Sequence, residues 1–190
     1  MQLIRTLALA GLLTSGAAIA APVTYDIDPA HTYPSFEADH MGISIWRGKF
    51  NTSSGTVVLD SDAQTGSVNV TVDVNSVDFG HAEMNKKAVS EELFNTAKYP
   101  EAVFVGKLGD FSAGAPTTLK GDLTLHGVTA PVALDITHFK CIEHPMLKKQ
   151  VCGADALGTF QRDAFGLTLG KDYGFDMTVT LRIQVEAVAK

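Results

Sequence analysis

Apolar and polar residues alternate along two long stretches of the chain. In Ser67–Asn75, Val68, Val70, Val72 and Val74 fall on one side, and Asn69, Thr71, Asp73 and Asn75 on the other. In Met177–Ala187 the apolar side carries Met177, Val179, Leu181, Ile183, Val185 and Ala187, opposed by Thr178, Thr180, Arg182, Gln184 and Glu186. A period of two describes a strand with one dry and one wet face. Shorter stretches read the same way. Tyr25–Asp28 and Ser35–His40 predict the first two strands, the second with Phe36, Ala38 and His40 on one face. Arg47–Phe50 and Thr56–Asp60 predict the next pair around the polar turn Asn51–Gly55, and Asp60–Gly66 turns into the valine strand. Ala102–Lys107 follows, then Leu119–His126 and Val132–Phe139 as a hairpin turning at His126-Gly127, with Val132, Leu134, Ile136 and His138 aligned. Ala154–Arg162 and Met177–Val185 complete the set. Gly121, inside a strand, marks a bend or a close backbone approach.

One segment departs from this period. Lys86–Thr96 places Val89 and Leu93 four apart with Phe94 beside them, turns Glu91-Glu92 to solvent, and is stopped by Pro100. It predicts a short helix that covers an open edge or plugs one end of the sheet. Roughly eight to ten antiparallel strands with one dry face must close into a barrel or split into a sandwich. An eight-stranded barrel is just wide enough to be filled by side chains or to hold one small ligand. Inward positions here carry mostly Val, Ala and Gly, with a single Trp and ten Phe spread through the chain. Such a lining leaves more lumen than inward Phe would, and favours a cavity.

The first 20 residues do not fit the fold. Arg5, the apolar run Leu7–Leu13 and the small residues Ala18-Ile19-Ala20 read as a secretory leader cleaved after Ala20, too short to span a bilayer. Residues 21–190 then form one exported domain, periplasmic or secreted, without a stable membrane anchor. Loss of Arg5 takes the net charge from −6 to −7. An acidic surface without a Lys/Arg cluster argues against nucleic acid as a partner. In an exported chain, Cys141 and Cys152 are expected to pair as a disulfide. A metal site with His138 and His144 is the alternative, but the spacing matches no zinc template, and no metal or other cofactor is expected.

Five motifs occur in order: Tyr25-Asp-Ile-Asp-Pro-Ala-His31 with Phe36, His40 and Arg47-Gly-Lys-Phe50; Leu93-Phe94-Asn-Thr-Ala-Lys-Tyr-Pro100; Gly121-Asp-Leu-Thr-Leu-His-Gly-Val-Thr129; and Arg162-Asp-Ala-Phe-Gly166. This order resembles the YceI-like family of exported bacterial lipid-binding proteins across essentially the whole mature chain. Thr32-Tyr33-Pro34 departs from the simplest family opening, and the cysteine-bearing insertion is found in only part of the family. The resemblance implies an all-β, lipocalin-like antiparallel eight-stranded barrel with one short covering helix. It also implies a long apolar ligand: a polyisoprenoid, a prenyl quinone or phosphate, a fatty amide, or a captured lipophilic antibiotic.

Catalytic chemistry finds little support. The six histidines form no His-x-His and no His-Glu-x-x-His, and the serines lie in no Gly-x-Ser-x-Gly. No catalytic residue is assigned. His31 and His40 read either as polar fixtures at a cavity mouth or as histidines tying down backbone. Arg47 and Arg162 read either as holders of an anionic phosphate or as partners of Asp39, Asp163 or a carbonyl that close the barrel. The expected lining comprises Phe36, Ala38, His40 and Trp46 near the opening strands, and Val70 and Val72 on the valine strand. Leu93 and Phe94 are expected as a lid, and Phe104, Leu123, Arg162, Phe165 and Val179 complete the wall. The chain is expected as a monomer, or as a homodimer covering a mouth. Two rival readings remain: a periplasmic lipid-modifying enzyme using His31, His40 or Arg162, and a filled-barrel stress-response module with a protein partner.

Overall fold

The computed structural model describes residues 21–190. The leader expected at residues 1–20, with its cleavage after Ala20, lies outside the described residues. Eleven strand segments there form one antiparallel sheet that closes on itself. Three pairs of segments lie end to end, so the eleven segments make eight staves, and the fold is a closed eight-stranded antiparallel barrel.

The first stave holds β1 (Val23–Ile27) and β2 (Tyr33–His40). Both pair with β11 (Thr178–Ala189), β1 through Ile27↔Ala187 and β2 through Leu181↔Phe36. The second stave holds β3 (Ser44–Phe50) and β4 (Ser53–Asp60), against β2 and β1 respectively. The third holds β5 (Thr65–Asp73) and β6 (Val77–Asp78). Single strands then complete the ring: β7 (Glu101–Gly109), β8 (Thr118–Leu125), β9 (Val128–Glu143), β10 (Gln150–Gln161) and β11. The valine strand starts and ends two residues earlier than its alternation predicts. The Asp73 carboxylate accepts the Asn75 N–H at 2.9 Å and turns Val74–Ser76 into a 3-10 turn before β6.

Three expectations are corrected. The helix is not at 86–96; α1 runs over Ala82–Val89, capped by His81, whose Nδ1 accepts the Met84 N–H at 3.2 Å. Its polar first turn carries no apolar period, which hid its start. Ser90 ends it, its hydroxyl donating to Lys87 O at 2.7 Å, and Leu93 and Phe94 fall in the tight turns beyond. Next, the register between β9 and β10 slips where His138 faces Asp155 but Ile136 faces Ala156, so Thr137 is the extra residue of a bulge. Parity flips there: Val132, Leu134 and Ile136 face inward, but Phe139 replaces His138 on the inner side. Finally, the strand expected over Ala154–Arg162 ends at Gln161, and Arg162 opens the first of two 3-10 turns, Arg162–Phe165 and Lys171–Tyr173.

Cys141 and Cys152 face each other across β9 and β10 and form a disulfide. Interior glycines set how close the staves come and how their large neighbours lie. Gly106 and Gly121 are cross-strand partners, and a Cβ on Gly121 would stand 2.2 Å from Val105 O and 2.8 Å from the Phe104 ring. The Phe104 ring therefore lies along the wall rather than across the lumen. Phe36 lies over Gly48 in the same way, its ring within 2.5 Å of where a Cβ would be. Large rings thus shield the wall without filling the middle.

The barrel has two unlike ends. One carries the turns 60–65, 109–118 and 143–150, where Tyr25, Leu59, Phe111 and Phe139 pack together as a floor. The other carries the β2–β3 turn, α1 and the 162–177 segment around an opening.

Candidate functional site

Between these ends lies a cavity of about 520 Å³, bordered by side chains from every stave. The dry faces read from the sequence converge on it. Val68, Val70 and Val72 of β5 point in, as do Val179, Leu181, Ile183, Val185 and Ala187 of β11. Its surface is almost wholly apolar. The polar side chains that reach it are few: Tyr25 on the floor, Thr32 and Arg162 in the wall, and Asp39, His40, Lys87 and Tyr173 at the mouth.

Each of these polar groups already has a partner within the fold or faces the mouth. Thr32 is buried, its hydroxyl donating to Glu186 O and accepting from Glu186 N, both at 3.2 Å. That exchange bridges the gap between β1 and β2, where the first stave is interrupted. The Asp39 carboxylate accepts N–H groups from Gly42 at 2.9 Å and from Asp176 at 3.1 Å, tying the β2–β3 turn to the segment across the mouth. His40 stacks on Trp46 with ring centroids 4.4 Å apart and meets the edge of Phe175 at 5.2 Å. With Phe79 edge-on to Trp46, these rings make an aromatic collar around the opening.

Arg162 has the clearest structural role. It is buried, and its Nη1 and Nη2 donate to Leu167 O at 2.9 Å and Leu169 O at 2.7 Å. The guanidinium holds the 3-10 segment against the mouth like a clasp, which matches the reading of an arginine that closes the barrel through carbonyls. Burial pushes its pKa down, with Asp163 opposing. Arg47 lies on the outside, paired with Glu37 at 2.8 Å, so it does not reach the lumen.

Of the residues expected on the lining, Phe36, Ala38, His40, Trp46, Val70 and Val72 border the cavity. So do Leu93, Phe94, Phe104, Leu123, Arg162 and Val179. Phe165 does not. It is fully buried in the packing with Val74, Leu125 and Val132 and meets Phe160 edge-on at 5.2 Å. Phe165 ends the 3-10 turn that Arg162 begins and packs among wall residues rather than on the cavity. Sequence reasoning missed the floor residues Ile27, Leu59 and Leu108, although Leu59 is in phase with Val57 and Leu108 with Phe104. It also missed the collar residues Phe79 and Phe175, which sit in irregular segments with no period to find them.

Two further histidines make hydrogen bonds within the chain. His126 Nδ1 donates to Phe165 O at 3.1 Å. His31 is not on the cavity; it is exposed, with its Nδ1 2.7 Å from Asp28 Oδ2. The hydrogen bond to Asp28 raises the His31 pKa, and the same bond lowers that of Asp28. The stabilisation from His31 is full below the ordinary imidazole pKa and is lost as pH rises through the raised folded value. That from Asp28 is present above the ordinary carboxylate pKa and is lost as pH falls through the depressed one. The pair therefore contributes most in mildly acidic solution. A proton NMR titration should place the His31 midpoint above about 6.5, and Asp28→Asn should bring it back down. An unshifted midpoint in the unsubstituted protein would contradict the pairing.

What this arrangement can do is take a long apolar chain out of water from one end. Among the described residues, no three His, Cys, Asp or Glu side chains gather as metal ligands. The mouth carboxylate Asp39 is already committed to backbone N–H groups.

Comparison with known proteins places the chain in company. The sequence profile of the YceI-like domain matches residues 25–187. Protein YceI of Salmonella arizonae is 37% identical over 183 residues, covering 93% of this chain and 92% of the relative. Among solved structures, BcnA of Burkholderia cenocepacia superposes with a TM-score of 0.67 at 22% identity, over 84% of this chain and 98% of that one. A polyisoprenoid binding domain from Saccharophagus degradans, implicated in plant cell wall breakdown, superposes with a TM-score of 0.64 at 17% identity, over 88% and 99%.

Proposed function

Since the chain belongs to the YceI-like domain family, we propose that it is an exported carrier that binds one long amphiphilic lipid in its barrel. The lipid is a polyisoprenoid, a prenyl quinone or a similar chain. The observation that carries this reading is the cavity: apolar along its length, floored at one end and open at the other through an aromatic collar. The likeness to a polyisoprenoid binding domain of Saccharophagus degradans supports the same ligand class. A filled-barrel interaction module has no use for such a lumen. The protein holds its ligand for transport, storage or sequestration, lipophilic antibiotics included, and binds rather than transforms it.

Energetics make the tail dominant. Each buried CH₂ contributes about 0.8 kcal/mol, so a five-carbon isoprene unit brings about 4 kcal/mol before ordering costs. The collar can flank a flat ring or leave a phosphate in solvent, since Arg162 is occupied by Leu167 and Leu169. Affinity should then climb with tail length until the floor is reached, and change little when the headgroup is exchanged. A series of prenyl quinones and prenyl phosphates, measured by quenching of Trp46 fluorescence, tests this. A headgroup exchange that outweighs the loss of an isoprene unit would overturn it.

A further inference from the structure

We propose that the open end of the barrel docks on the surface of a zwitterionic lipid bilayer, with Met41, Ile43 and Ile45 of the β2–β3 hairpin entering the headgroup layer. Single exposed apolar residues need no explanation. These are not single. Ile43 is 76% exposed and Met41 and Ile45 each 49%, at neighbouring positions on one hairpin. Across the mouth stand Tyr173, 76% exposed, and Leu169, and Trp46 lies between the two sides. Apolar residues thus flank the mouth on two sides and continue into the lumen: Trp46 borders the cavity on one side and an outer groove with Ile45 and Phe79 on the other.

The rim is held rigidly. Ile43 N donates to His40 O at 3.0 Å, and Asp39 links Gly42 to Asp176 across the opening. A lipid tail leaving a bilayer for a cavity exposes every methylene to water unless the mouth meets the membrane. An apolar rim continuous with the cavity removes that exposed stage. In this respect the proposal rests on the carrier reading above, although docking itself requires no ligand.

Charge identifies the kind of surface. Around the mouth Arg47 is paired with Glu37, Lys87 with Glu92 and Lys171 with Asp163, while Lys86 of α1 is in no ion pair among the described residues. The chain as a whole is acidic, at −6. One unpaired lysine on an acidic chain is a weak draw to anionic headgroups, so attachment depends on apolar insertion and favours neutral lipid.

The test compares the mature protein with two double variants on phosphatidylcholine vesicles. Met41→Asn/Ile43→Ser removes the hairpin tip, and Asn suits the left-handed backbone at Met41, φ 57°. Met146→Ser/Leu147→Ser removes the exposed apolar pair at the opposite end of the barrel. Partition of the rim variant should fall by about tenfold or more, transfer of a prenyl quinone out of vesicles should slow with it, and equilibrium binding of a short-tailed, water-soluble prenyl quinone should not change. The far-end variant should behave as the unsubstituted protein, and added salt should not release either. Docking is overturned if the unsubstituted protein ignores the vesicles, or if both variants lose partition equally. It is also overturned if attachment requires phosphatidylglycerol and dissolves in salt, or if the rim proves to be covered by a second copy that Met41→Asn/Ile43→Ser releases. Loss of prenyl binding with vesicle attachment intact would instead remove the carrier reading and leave docking standing.

Discussion

Val72→Trp is expected to abolish binding of a long-chain lipid, a loss of at least about 100-fold, while leaving the barrel folded. Val72 lies on β5 with its side chain on the cavity wall, across from Ala102 on β7. Enlarging a side chain in a packed core forces neighbours off their rotamers at a cost of about 1–3 kcal/mol. Here the indole enters space that no protein atom occupies, so the cost falls on the ligand instead. The measurement pairs lipid titration with thermal unfolding, and the midpoint should move by no more than about 5 °C. Unchanged lipid binding would put the ligand elsewhere; collapse of the fold would mean that the lumen is narrower than the cavity here.

Gly121→Ala should do the opposite with a single methyl group. A Cβ there would stand 2.2 Å from Val105 O and 2.5 Å from Gly106 Cα, both backbone atoms of the neighbouring stave. Backbone cannot rotate away as a flexible side chain can, so β7 and β8 must separate where Gly106 and Gly121 pair. The expected loss is about 3 kcal/mol or more, read as a fall of about 10 °C in the unfolding midpoint. A neutral outcome would show that the two staves are not in such close apposition. The two substitutions together separate wall from lumen: a large addition is tolerated where the side chain faces the cavity, and a small one is not where it faces backbone.

Much of the barrel was legible because its strands are long and strictly alternating. The dry faces of β5 from Val68 to Val72 and of β11 from Val179 to Ala187 are legible from period two alone, and the structure turns both toward the cavity. Strand count and one dry face left a barrel or a sandwich open, and the eight-stranded barrel was implied by the family resemblance. The losses have local causes. The bulge at Thr137 exchanges His138 for Phe139 on the inner face, and no composition announces a single extra residue. Phe165, expected on the lining, lies in an irregular turn with no period to give its direction, and it packs fully within the wall. The start of α1 was hidden because the cap is His81 and the first turn is polar, so the apolar signal came only from Val89, Leu93 and Phe94 at its end and beyond.

The collar shows where pattern reading stops. His40 and Trp46 are strand residues and were found; Phe79, Tyr173 and Phe175 reach the same opening from turns. Their positions depend on the Arg162 clasp on Leu167 and Leu169 and on the Asp39 link to Asp176. The clasp closes within seven residues of irregular chain, where no period marks it, and the Asp39 link spans 137 residues, so no local window contains both of its partners.

The account's central claim is that the barrel is a container and the wall residues are a lining. Native mass spectrometry of the protein purified from its own host, followed by lipid extraction and identification, addresses it most directly. The expected result is a single long-chain amphiphile per barrel, released by organic solvent and absent from the Val72→Trp variant. A barrel recovered without any lipid, and unable to take up a prenyl chain when one is supplied, would contradict it.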